Sequence, residues 1–155
     1  MLFSPTIDPA TTAEAPRGDS SPPGLRHVRQ RNGRDCGVAA AAILAGVTYD
    51  RAARAHPDAR PADGLQAMEV AIMLRHLTGR LVRLSGAAEG EALAHCAPSL
   101  PDPAIALIHA PDSTRGHYVV LAAGQVLDPE LPDAQVPQDY IHRDWTVFRV
   151  LTLED

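Results

Sequence analysis

The chain has 155 residues, which allows one domain with a substantial core and hardly two. A net charge of −5 argues against a nucleic-acid binder, which wants a basic face. No apolar stretch approaches the ~18 residues needed to span a bilayer.

Aromatic residues make up only 4% of the chain, so the core must rely on Ala, Val, Leu and Ile. All 14 basic residues are arginine. A GC-rich coding sequence explains this, as it explains the many Ala, Pro and Gly. So does life as a protein injected into a eukaryotic host, where a lack of lysine avoids ubiquitination.

Residues 1–24 are rich in Pro, Thr, Ser and Ala without apolar period, and are expected to be a disordered arm ahead of a domain over residues 25–155. The start lacks the basic and apolar regions of a secretory signal. The expectation is a cytoplasmic protein, or one exported without a cleavable signal. Its two cysteines, Cys36 and Cys96, are then expected to be reduced.

"CGVAAAAILA" (Cys36–Ala45) reads as a helix buried on all sides, because nearly every position is apolar. Asp35 is placed to cap its start and Gly46 to end it. A short second helix follows Thr48 and stops before Pro57. Asp63 is the expected cap of a third helix reaching Thr78 and closed by Gly79. Its core stripe is expected from Leu65, Met68 and Ile72, widened by Val70, Met73, Leu74 and Leu77. "RLVRL" (residues 80–84) reads as an edge strand and "EGEALAHCA" as a short helix.

The second half changes character. "AIALIHA", "HYVVLAA", "QVLDP" and "WTVFRVLTL" are β-rich runs broken by Pro, Gly and Asp. Helices first and strands later predict an α+β fold.

The chemistry is expected at Cys36. Thiolate is the reactive form of cysteine, and a helix N-terminus favours negative charge. The same position suits a buried structural cysteine. A thiolate nucleophile needs a histidine, and that histidine needs an orienting group. His117 opens the strand "HYVVLAA" beside a glycine, where a half-buried surface histidine would also fit.

Asp128 ends the next run. If Ala123 and Gly124 form a two-residue turn, Val119 lies opposite Asp128. His117 and Asp128 are then diagonal neighbours on one face, within reach through their side chains. One more turn residue would put Asp128 on the other face; an Asp-Pro turn alone also explains it. Gln30, in the loop before Cys36, offers an amide N–H for a developing oxyanion.

Gln30, Cys36, His117 and Asp128, in this order, resemble a papain-like cysteine peptidase. "QRNGRDCGVAAAAIL" and "GHYVVL…VLDP" are similar to the bacterial peptidases that process double-glycine leaders of bacteriocins, and to their stand-alone relatives. The resemblance covers about residues 28–129. It implies a Cys-bearing central helix packed on an antiparallel sheet that carries histidine and acid. It implies Cys36 as nucleophile, His117 as base and later acid, Asp128 as orienting group and Gln30 in the oxyanion hole. The hairpin between His117 and Asp128 is short for that family.

The expected partner is a peptide or protein substrate, with neither nucleic acid nor membrane involved. No cofactor or metal is expected. Two other activities fit the same residues: a glutamine deamidase or transglutaminase-like acyltransferase acting as an injected effector, and a non-catalytic peptide-binding domain. Cys96 is expected in the core and Trp145 as a core anchor. His109 is a candidate cleft residue, and Asp139 and Asp144 are reserve orienting acids. His27, His56, His76 and His142 are expected at the surface.

Overall fold

The computed structural model describes residues 25–55, 64–113 and 115–155. The expected N-terminal arm, His56 and Asp63 lie outside the described residues. The fold is α+β, with one five-stranded antiparallel sheet and a few helices.

Helix α1 (Cys36–Ala45) is buried from Cys36 to Leu44. Small side chains make this possible, because neighbours on every side can approach its backbone. At Gly37 a Cβ would stand 3.2 Å from Val70 Cγ2 and 3.3 Å from Leu65. Gly46 ends the helix at φ 74° and donates to the Ala42 carbonyl at 2.9 Å. That left-handed turn suits a glycine.

Helix α2 (Tyr49–Arg54) is capped by Thr48, whose Oγ1 accepts from the Arg51 amide at 3.1 Å. Helix α3 (Ala67–Thr78) starts later than expected. Gln66 is its cap, and a capping box with Glu69 satisfies both ends of the first turn. Its buried side is Val70, Met73 and Leu74, whereas Met68 and Ile72 are exposed. Met68 and Ile72 of the expected stripe therefore form a second apolar face turned outward. Leu65 precedes the helix and is buried in the same core cluster as Val70, Met73 and Leu74.

The strands follow: β1 (Val82–Ser85), β2 (Ala104–His109), β3 (Gly116–Ala122), β4 (Gln125–Leu127) and β5 (Thr146–Leu153), in sheet order β1-β5-β2-β3-β4. A short helix α4 (Leu93–Cys96) lies between β1 and β2. One core cluster joins α1, α2 and α3 to Ile105, Leu107, Tyr118 and Val120. The other joins α4 and Tyr140 to Ala106, Ile108, Val119 and Leu121. Alternation along β2 and β3 thus feeds both faces of the sheet, as the two-residue side-chain period requires.

Ala123 (φ 52°) and Gly124 (φ 76°) make the two-residue turn between β3 and β4, with Ala122 paired to Gln125. The Asp102 carboxylate accepts from both turn amides, at 2.8 and 3.0 Å. Cys96 is buried and both cysteines are free thiols. Trp145 is only half-buried; the large side chain sealed into that end of the core is Tyr140, at 0% exposure. Among the described residues no helix is long and apolar enough to cross a membrane.

Gly37→Val should destabilise the protein by about 2 kcal/mol, because the new methyls must displace Val70 and Leu65. Urea unfolding with an unchanged m-value checks this; an unaltered midpoint would mean that α1 and α3 do not pack so closely.

Candidate active site

Three stretches of chain meet at the start of β3. The β3–β4 ladder runs only from Ala122↔Gln125 to Val120↔Leu127, so the first residues of β3 have no ladder partner on that side. The segment leading into α1 lies against the residues after β4. The Gln30 amide donates to the Pro129 carbonyl at 3.0 Å. Arg29 Nε bonds the same carbonyl at 3.2 Å, its Nη2 bonds Glu130 O at 3.1 Å, and His27 Nε2 bonds Leu131 O at 2.6 Å. The arm that leads to the cysteine is thereby stitched to the arm that carries the aspartate.

His117 and Asp128 are joined. His117 Nε2 lies 2.7 Å from Asp128 Oδ1, and the residues are 6% and 1% exposed. Asp128 accepts two further hydrogen bonds, from the Tyr140 hydroxyl at 2.5 Å and from the Glu130 amide at 2.7 Å. Burial opposes ionisation of Asp128, but the hydrogen bond and charge of His117, with Tyr140 and Glu130, hold its pKa below the ordinary carboxylate value.

Cys36 completes the group. With Nε2 on Asp128, the other ring nitrogen of His117 is left for the sulfur, and Cys36 lies near enough to act on the imidazole. Burial disfavours charge on His117. The hydrogen bonds and charges of Asp128 and Cys36 outweigh it, raising the His117 pKa to about 10. The arrangement therefore favours an imidazolium, held on one side by the Asp128 carboxylate and with the Cys36 sulfur nearby.

Gln30 is held beside this group by its backbone, but its side chain is spent elsewhere. Its Nε2 donates to the Asn32 carbonyl at 2.6 Å, and its Oε1 is buried without a hydrogen-bond partner. Asp35 does not cap α1 with its side chain. Its carboxylate, 0% exposed, turns back onto the loop instead. It accepts from the Arg31 amide at 2.9 Å, the Asn32 amide at 3.0 Å and the Tyr49 hydroxyl at 2.5 Å. The acid next to the cysteine thus fixes the loop that carries Gln30, and leaves the first N–H groups of α1 without a side-chain cap.

Cys36 lies on a cleft of about 770 Å³, bordered by the 33–34 turn, the start of α3 and the edges of β2, β3 and β5. Gln30 does not line it. His109 does, stacked on Phe148 with ring centroids 4.8 Å apart. Tyr118 supports the wall, its hydroxyl donating to the Leu65 carbonyl at 2.7 Å. Burial, then the nearby Cys36, raises the Tyr118 pKa.

Asp139 and Asp144 are exposed, and it is Asp128 that meets His117. His76 is exposed, whereas His27 and His142 are half-buried, which corrects their expected surface position. His142 stacks on Trp145 at 4.0 Å and stands edge-on to His117 at 6.2 Å. Burial and the neighbouring His117 charge lower its pKa. Tyr140 was not a sequence candidate. Its only sequence signal is rarity, as one of three tyrosines in a chain poor in aromatics.

His117, Asp128 and Glu130 each place one ligand atom within 4.8 Å of the others, a set that could take a cation. The 2.7 Å separation of His117 and Asp128 is that of a shared proton rather than of two atoms on one metal. Compared with known proteins, the chain matches no protein-family model and no curated sequence.

Two outcomes follow. The raised His117 pKa contributes stability that is complete below about 6.5, the unfolded value, and is lost as pH rises through about 10. The stability difference between the unaltered protein and His117→Ala should therefore shrink between pH 6.5 and 10 in urea titrations. Tyr140→Phe removes one of three donors to a buried carboxylate and should cost about 2 kcal/mol. It should also raise the Asp128 pKa, so that acid unfolding begins at higher pH than in the unaltered protein.

Proposed function

We propose that this protein is a papain-like cysteine peptidase, a stand-alone relative of the double-glycine leader peptidases. On this reading it hydrolyses a peptide bond through a thiol acyl-enzyme. The observation that carries the reading is the meeting of Cys36, His117 and Asp128 beside a cleft of about 770 Å³. A buried helix bearing the cysteine, packed on an antiparallel sheet bearing histidine and acid, supports the papain-like fold.

The steps use only these residues. The Cys36 thiolate attacks the scissile carbonyl carbon, and the carbonyl oxygen takes up the electron pair. The Cys36 backbone N–H, in the first turn of α1, has no partner within the helix and is suited to that oxygen. Gln30 supplies a second donor once its side chain turns from Asn32 toward the cleft. His117 gives its proton to the departing amine, leaving a thioester. It then takes a proton from water, which attacks the thioester and restores the thiol. Asp128 keeps the imidazole in one orientation throughout, and Tyr140 and the Glu130 amide keep Asp128 in its own.

The substrate on this reading is a peptide or protein, and no cofactor takes part. Iodoacetamide near pH 7 should label Cys36 at least about tenfold faster than Cys96, whose pKa burial raises. His117→Ala should abolish that advantage. Equal labelling of both thiols would sink the thiol-hydrolase reading and leave a peptide-binding domain. Intact mass of treated target proteins then separates cleavage, which yields fragments, from glutamine deamidation, which adds about one dalton without fragments.

A further inference from the structure

The cleft beside Cys36 is basic in a protein whose net charge is −5. Its charged lining residues are Arg34, Arg115 and Arg149, and neither Asp nor Glu lines it among the described residues. The three come from separate walls. Arg34 sits two residues before Cys36, Arg115 two residues before His117, and Arg149 lies in β5.

Two of the guanidinium groups are held in place. Arg149 stacks over the Phe148 ring at 4.1 Å and bonds the Phe148 carbonyl at 2.7 Å. Arg115 lies over the Trp145 ring at 5.6 Å. Stacked guanidinium groups lose less freedom on binding, and their planar forks match a carboxylate. Glu89 offsets part of the Arg149 charge, with Oε1 2.8 Å from Nη1. Glu69, in the first turn of α3, contributes negative charge near Tyr118. Among the described residues, Arg115 has no carboxylate in its hydrogen bonds or ion pairs.

We propose that the substrate of this site is an acidic peptide segment, with an Asp or Glu side chain bound by Arg115. This rests on the thiol-hydrolase reading and names its substrate class. Arg115 is two residues from His117. With about 3.3 Å per extended residue, the bound carboxylate belongs roughly two to four residues from the scissile bond. Gly116, between Arg115 and His117, lets Leu107 and His109 close onto the strand. A Cβ there would stand 3.1 Å from Leu107 Cδ1 and 3.3 Å from the His109 ring.

The test uses glycine-ended peptidyl chloromethyl ketones that differ only in the third residue from the end: Glu, Gln or Lys. Cys36 displaces chloride and forms a thioether, and intact mass follows the rate. The Glu probe should react about tenfold faster than the Gln probe, as expected for a charge-assisted hydrogen bond, and the Lys probe slowest. About 0.5 M salt should narrow the spread. Arg115→Gln should bring the Glu and Gln rates together, and Arg115→Glu should place Lys ahead of Glu.

Equal rates for the three probes, or Lys fastest on the unaltered protein, would overturn the substrate class. If labelling of Cys36 nonetheless depends on His117, the thiol-hydrolase reading stands without it. If iodoacetamide and all three probes label Cys36 no faster in the unaltered protein than in His117→Ala, the failure lies in that reading itself.

Discussion

A carboxylate that is 1% exposed must find a partner for each oxygen or lose its charge, and this one demand organises half the molecule. Asp128 meets it with donors from three places: a ring nitrogen from β3, a hydroxyl from the stretch before β5, and an amide just past its own strand. Each donor ties a different part of the chain to the end of β4. Removing the acid would leave a charged imidazole and a tyrosine hydroxyl buried without compensation. Fold and site therefore share a constraint, because the groups that orient the imidazole also close the core on that face of the sheet.

The other side of the site rests on the absence of bulk. A helix surrounded on all sides needs side chains that let the neighbours come close, and α1 is mostly alanine with a glycine at the tightest contact. Such a helix has no polar face to set its rotation. Its start is fixed from outside, by the buried Asp35 gathering two loop amides and the Tyr49 hydroxyl. Arg31 lies over the Tyr49 ring at 4.1 Å and pairs with Asp50 at 2.8 Å, which braces the same loop. The loop is thereby made rigid without using the first amides of α1, and these are the groups a developing oxyanion would need.

What could be read in the sequence was what parity and composition decide. The turn at Ala123 and Gly124 fixes which face Asp128 occupies, so the diagonal with His117 could be drawn before any coordinates. The all-apolar run of α1 could mean only burial. Choices between equivalent local solutions were not legible. Asp35 sits where a cap belongs, yet competing donors in the loop claim its carboxylate. The α3 sequence carries two apolar faces, Met68 with Ile72 and Val70 with Met73 and Leu74, and only packing against α1, β1 and β5 selects the second. Tyr140 was invisible because its role comes from a contact twelve residues back along the chain, made through an irregular segment without period.

The two cysteines show what separates a reactive thiol from a structural one. Both are buried and free, and they belong to opposite core clusters. The Cys96 thiol bonds the Leu93 carbonyl at 3.8 Å, and burial, then the nearby Glu91 charge, drives its pKa upward. Cys36 is no more exposed in kind, but it begins a helix at the rim of a cleft and neighbours an imidazole bound to a buried acid. Burial alone makes a thiol inert. Beside Cys36 stands an imidazole whose charge is itself anchored by a buried acid, and removing water strengthens the attraction between the charges that remain.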